Sequence, residues 1–245
     1  MENTFYDYGK PEGVDGEKLL DLMDEGHTPV SLWALTNLDV NENDEILDIG
    51  CGSGLNLKRL HEKSSKAPSF GIDHSTTSVR KSILMNRKDV DEGNIVVEEG
   101  NVLDMPFEDE QFNIITAFET VYFWPQIVNS FKEVKRVLKK DGVFFLVFET
   151  NGCANEGYEK IANEQGCIFY NENQLKDFLF EAGYEKVTIY LRNRKDNKKV
   201  IRKITSVDCT QEIVEDNFEG DNYLDELKSE KYTPSSEWMC ILAQK

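Results

Sequence analysis

The segment Ile46-Leu47-Asp48-Ile49-Gly50-Cys51-Gly52-Ser53-Gly54 constrains this chain more than any other. Ile46 to Ile49 read as a buried parallel strand, since a strand covered on both faces is apolar almost throughout. Glycine at every second position from Gly50 to Gly54 lets the backbone turn sharply and approach a ligand without Cβ atoms intervening. A helix-like stretch, Leu55 to Lys63, follows at once, and its opening N–H groups face whatever the turn holds. A strand, a glycine turn and a helix near the start of an α/β domain form a nucleotide cradle.

The details narrow the ligand. A dinucleotide fingerprint, G-x-G-x-x-G, would place its third glycine where Leu55 stands. The pattern here is D-x-G-x-G-x-G, with Asp48 two residues ahead of the first glycine. A carboxylate there repels a pyrophosphate and suits a ligand with positive charge and no phosphates. In this form the segment resembles the first motif of the class I S-adenosylmethionine (SAM)-dependent methyltransferases. The resemblance implies that Asp48 lies near the methionine part of SAM, and that Gly50, Cys51, Gly52 and Gly54 wrap its amino acid and ribose.

Further matches follow in the family's order. Ser69 to Asp73 reads as a second strand ending in a carboxylate, which can accept both ribose hydroxyl protons. Gly100 to Phe107 resembles the stretch that contacts adenine, which implicates Asn101 and Val102; Asn stands where many relatives have Asp. His74 falls where relatives pack against adenine. Phe112 to Glu119 resembles the fourth strand and its edge. Glu133 to Glu149 resembles the helix–turn–strand written R-x-L-K-P-G-G, with Asp141 in the proline position. The resemblance covers about residues 40 to 190 and rests on motifs in register. It implies a doubly wound, Rossmann-like, seven-stranded sheet, mostly parallel with an antiparallel edge strand, beneath an N-terminal helical cover.

The organisation expected is a helical cover over 1–40, a SAM-binding core over 41–192, a charged insertion over 193–235 and a final edge strand over 236–245. In the cover, Thr28-Pro29 reads as the N-cap and first position of a second short helix, joined to the first at Gly26-His27. Strands are expected near 46–50, 69–73, 94–98, 112–118, 143–149, 185–191 and 236–244. Helices are expected near 55–63, 75–88, 126–139 and 171–182. The segment Val102 to Gln111 replaces the helix between the third and fourth strands.

Composition restricts partners. The net charge of −18 repels phosphate backbones, so a nucleic-acid substrate is not expected. The basic cluster from Arg192 to Lys203 precedes an acidic stretch, and the pair reads as a self-compensating surface insertion. No apolar run approaches the roughly 20 residues of a membrane span, and Met1 to Lys10 lacks a signal-like apolar stretch. Five scattered cysteines form no C-x-x-C pair, which fits reduced thiols and a cytoplasmic monomer or homodimer.

Methyl transfer from a sulfonium is an in-line displacement, so the protein mainly aligns nucleophile, methyl and sulfur. No spacing of Asp, Glu or His along the chain suggests metal ligands, and no metal is expected. Glu119 follows the fourth strand, where the family's acceptor site begins; it can hold a cationic acceptor, take its proton or bind the methionine ammonium. Tyr122, Phe123 and Trp124 can line that pocket or pack in the core. His27, in the cover, can act as a base or as a structural hydrogen-bonder. Glu149 ends the fifth strand and can face the acceptor. The expected function is methyl transfer from SAM to a small molecule, with His27, Glu119 and Tyr122 as catalytic candidates. The alternatives are a non-catalytic SAM-binding protein and a nicotinamide-dependent oxidoreductase.

Overall fold

Apolar runs of strand length alternate with amphipathic stretches, and the chain folds accordingly. The computed structural model describes residues 7–152, 156–193, 199–206, 209–215 and 237–245. A long helix α1 (Gly13–Leu35) leads into β1 (Ile46–Ile49), α2 (Leu55–Lys63), β2 (Ser69–Asp73), α3 (Thr76–Met85), α4 (Arg87–Asp91) and β3 (Ile95–Glu99). After a helix-free connection come β4 (Phe112–Phe118), a 3₁₀ turn at Val121–Phe123, α5 (Ile127–Val137) and β5 (Leu138–Phe148). Then follow α6 (Glu156–Gln165), α7 (Glu172–Glu181), β6 (Lys186–Asn193), β7 (Lys199–Ser206), β8 (Cys209–Glu215) and β9 (Glu237–Gln244).

One sheet runs in the order β3-β2-β1-β4-β5-β9-β6-β7-β8. The first five strands are parallel; β9 lies antiparallel to both β5 and β6. The order reverses between β1 and β4, and in doubly wound sheets ligands bind at the strand ends beside such a reversal. Alternate residues of each strand face opposite sides. Leu47, Ile49, Ile115 and Phe144 join one core with α5 and α7, while Ile46, Ile114, Phe145 and Val147 join another with α1.

Two expectations are corrected. Among the described residues the sheet has nine strands, not seven, because β7 and β8 form a hairpin beyond β6. The antiparallel β9 is therefore internal, and among the described residues β8 takes the edge. Its charge pattern is readable in retrospect: Arg202 on β7 pairs with Glu212 on β8 and with Glu172 on α7. Residues 216–236 of the expected insertion lie outside the described residues. The N-terminal cover is one helix rather than two. Pro29 sits inside α1 and leaves the Glu25 carbonyl without its usual N–H donor. Packing outweighs that loss: Val30, Trp33, Ala34 and Leu35 are all buried, and Trp33 lies 5.8 Å from Trp238 of β9. The 3.6-residue spacing carries on through Gly26-His27 without a break.

Candidate active site

The glycine turn takes the shape its sequence requires. Gly50, Gly52 and Gly54 have φ of +72°, +55° and +84°, a region L side chains avoid. A Cβ on Gly50 would stand 2.3 Å from Thr120 Oγ1, so the end of β1 and the loop after β4 meet there backbone to side chain. The N–H groups of Gly50 and Cys51 both donate to the Ile72 carbonyl of β2, at 2.8 and 3.1 Å. Asp73 completes the frame: Oδ2 accepts from the Gly52 N–H at 3.0 Å and Oδ1 from the Ser75 N–H at 2.9 Å. Burial raises the pKa of the Asp73 carboxyl against the pull of those two N–H groups.

Two cavities meet at Gly50. One, about 270 Å³, is lined by Ile49, Ile72, Asp73, His74, Asn101 and Val102, and closed by Thr120, Phe123 and Trp124. The other, about 60 Å³, lies between α1 and the turn, with Asp24, His27, Asp48, Cys51, Gly52 and Glu119 among its walls. Glu119 and Thr120 are consecutive, yet each lines a different cavity.

Glu119 is held in a costly conformation. Its φ is +54°, outside the region most residues occupy, and it is only 7% exposed. Tyr122 Oη donates to Glu119 Oε2 at 3.1 Å, while Oε1 is buried with no hydrogen-bond partner among the described residues. Burial, then the nearby charge of Glu149, pushes the Glu119 carboxyl well above the usual carboxylate range. Burial also lowers the His27 pKa, against the influence of Glu149 and Asp24, so the imidazole is neutral near pH 7. Asp48 is raised to about 7 by burial, although Thr116 hydrogen-bonds it.

Most sequence-expected residues gather here, with some changes of role. Asp48, Gly50, Cys51 and Gly52 line the smaller cavity; Asp73, His74, Asn101 and Val102 line the larger. The Cys51 thiol is pushed up by burial, consistent with a residue chosen for size. Asn101 Oδ1 accepts the Leu103 N–H at 3.0 Å, so it shapes its own loop. Gly54 lines neither cavity; a Cβ there would strike Ser82 Oγ at 2.3 Å and Asn86 Nδ2 at 2.6 Å, so its place is the packing of α2 on α3. Tyr122, expected as a catalytic candidate, lines neither cavity and hydrogen-bonds Glu119 from behind it. Phe123 and Trp124 face the larger cavity, and Trp124 stacks on Phe144 in the core.

Some site residues escaped sequence reasoning. Asp24 lines the smaller cavity and accepts a 2.7 Å hydrogen bond from Ser53 of the turn. The spacing Leu20, Asp24, His27, Ser31 places all four on one face of α1, a signal present in the sequence. One further grouping has no counterpart in the spacing along the chain. His27, Glu119 and Glu149 each offer a ligand atom within 4.8 Å of the others, brought together from three elements that no chain spacing connects.

Comparisons with known proteins agree on the family. A methyltransferase domain model matches residues 47–146. A putative methyltransferase of Bacillus subtilis, YrhH, is 35% identical over 132 residues, which is 54% of this chain and 72% of that protein. Cycloartenol-C-24-methyltransferase 1 of rice is 28% identical across 65% of this chain but only 46% of its own length. A Haemonchus contortus phosphoethanolamine N-methyltransferase, solved with S-adenosylhomocysteine, shares the fold: TM-score 0.68 at 13% identity, over 94% of this chain and 57% of that one. With the glycine turn, Asp73 and the strand order in place, this chain belongs to the class I SAM-dependent methyltransferases.

Proposed function

We propose that the chain moves a methyl group from SAM to a small-molecule acceptor held in the cavity beneath α1. The observation carrying this reading is that two cavities share Gly50, with Thr120 in one wall and Glu119 in the other. The residues present suit the cofactor. Gly50 has no room for a Cβ, Asp73 supplies a fixed carboxyl, and Asp48 and Asp24 place two further carboxyl groups around the turn. In this reading Ile72, Asp73, His74, Asn101, Val102 and Phe123 hold the nucleoside, while Asp48 and Gly50 to Ser53 hold the amino-acid end. SAM supplies an activated methyl carbon and its own leaving group.

The chain's own residues then position the acceptor. Glu119, fixed by Tyr122, and the neutral His27 present a polar wall to the acceptor's nucleophilic atom. Leu20, Met23 and Phe118 supply the apolar remainder of that cavity and keep water out. A net charge of −18 disfavours a nucleic-acid acceptor, and Arg202, in the one basic stretch, is already paired with two glutamates. The names of the rice and nematode proteins refer to a sterol carbon and an amine, which supports the small-molecule class. The nicotinamide and non-catalytic alternatives give way to the family assignment.

The test has two stages. Isothermal titration with SAM and S-adenosylhomocysteine should give micromolar binding. Tritiated SAM offered with amines, phenols, thiols and carboxylates should then label one class. Absence of binding of either ligand to folded protein would overturn the reading.

A further inference from the structure

Two walls of the cavity beneath α1, His27 and Glu119, belong to a grouping that methyl transfer alone does not explain. His27 comes from α1, Glu119 from the end of β4 and Glu149 from the end of β5, and their ligand atoms lie within 4.8 Å of one another. Among the described residues no other trio of His, Cys, Asp or Glu is so arranged. Glu119 Oε1 is buried without a hydrogen-bond partner among the described residues. Its sister oxygen is held by Tyr122, so the unpartnered oxygen cannot swing freely. A buried acceptor left in this state is costly unless something binds it.

We propose that His27, Glu119 and Glu149 form a binding site for one first-row divalent cation of the zinc or manganese kind, open on the acceptor side. One imidazole nitrogen and two carboxylates are a donor set such ions accept, whereas magnesium and calcium prefer oxygen alone. Two atoms bound to one such ion can be at most about 4.2 Å apart. A pair at the full 4.8 Å therefore needs to close by at least about 0.6 Å, within reach of side-chain rotation. Zinc sites that do chemistry keep three protein ligands and leave a fourth position for water or substrate.

Ion binding stands by itself, and its role in the reaction rests on the function proposed above. In that role an acceptor hydroxyl or thiol takes the open position and loses its proton to solvent more readily because the ion stabilises the anion. The acceptor–carbon bond then forms as the sulfur–methyl bond breaks, leaving a neutral thioether. His27 acts there as a ligand and not as a base.

The experiment uses the full chain freed of metal by a chelator, then titrated with ZnCl₂, MnCl₂ and MgCl₂. Saturable one-to-one binding is expected for zinc or manganese, at least tenfold tighter than for magnesium. Glu149→Gln and His27→Gln should each weaken it at least tenfold, while Asp21→Asn, on the exposed side of α1, should leave it unchanged. Cobalt(II) absorption, read on the same variants, should lose intensity with either ligand change. SAM titration of each variant shows whether it is folded and keeps the two readings separate: ion binding without SAM binding overturns the proposed function and leaves the ion site standing. The ion site is overturned if SAM-binding protein takes up neither ion, or if both ligand variants bind like the parent. Competition by a simple alkylammonium in place of any ion would overturn it too.

Discussion

Thr116 Oγ1 donates a 2.6 Å hydrogen bond to Asp48 Oδ1, across the register pair that joins β4 to β1. Both side chains are buried where the sheet order reverses, directly below the glycine turn. The pair gives the sheet a side-chain link at the point where its two halves diverge.

That burial has a pH signature. Asp48 ionises near 3.8 in an unfolded chain and near 7 in the folded one. Below pH 3.8 both states are protonated and nothing changes. Between the two values the unfolded chain has released a proton that the folded chain retains, so stability falls as pH rises; above about 7 the loss is complete. A shift of about three units corresponds to at most about 4 kcal/mol. Asp48→Asn keeps an oxygen for Thr116 and cannot ionise. Urea melts should show the variant gaining on the parent from pH 5 to pH 8. A gap that stays constant across that range would contradict the assignment.

How much of this was legible follows from what pattern can carry. The strand–turn–helix at Ile46 to Lys63, the carboxylate at Asp73 and the helix-free stretch after β3 are local, and the sequence determines them locally. The hairpin of β7 and β8 was not legible, because alternating charged residues read equally as a strand edge or as a solvated loop. Pro29 suggested a break that the burial of Trp33 and Leu35 overrides, a tertiary effect invisible to propensity. The trio of His27, Glu119 and Glu149 depends on strand order alone: β4 and β5 must be neighbours, with α1 above their ends.

The glycines of the turn should not be equivalent. Alanine at Gly50 meets Thr120 at 2.3 Å and also a φ of +72°, whereas alanine at Gly52 finds its nearest atom, Leu20 Cδ2, at an ordinary 3.6 Å. Conformational strain at either site is about 1–2 kcal/mol. Gly52→Ala should lose about that much stability, and Gly50→Ala more, along with at least tenfold in SAM affinity. Thr120→Gly should restore part of the Gly50→Ala loss and none of the Gly52→Ala loss. Thermal melts with and without SAM distinguish these outcomes, and equal losses at both sites would refute the ranking.

Tyr122 offers a cleaner separation of binding from chemistry. Its hydroxyl holds Glu119 Oε2 and touches neither cavity. Tyr122→Phe should leave the SAM dissociation constant within about threefold, while transfer slows about tenfold as Glu119 loses its fixed direction. Glu119→Gln should slow transfer in the parent, and should add little once Tyr122 has been replaced. Independent, additive effects of the two changes would show that they do not act as a unit.

Asp73 carries the most demanding prediction, because it holds the turn and is also proposed to bind the ligand. One oxygen fixes the Gly52 N–H and the other fixes the Ser75 N–H that opens α3. Hydrogen bonds to a charged partner contribute roughly 1.5–3 kcal/mol each. Asp73→Ala removes both, along with the acceptor proposed for the ribose hydroxyls, and should weaken SAM at least a hundredfold and lower the melting temperature. Asp73→Asn keeps one acceptor oxygen but turns an NH₂ toward a backbone N–H. It should therefore fall between, at about tenfold. The order parent, Asn, Ala should hold for S-adenosylhomocysteine as well as SAM, since the proposed contact is to the nucleoside and not to the sulfonium. Asp73→Ala protein that binds either ligand like the parent would remove Asp73 from the cofactor site.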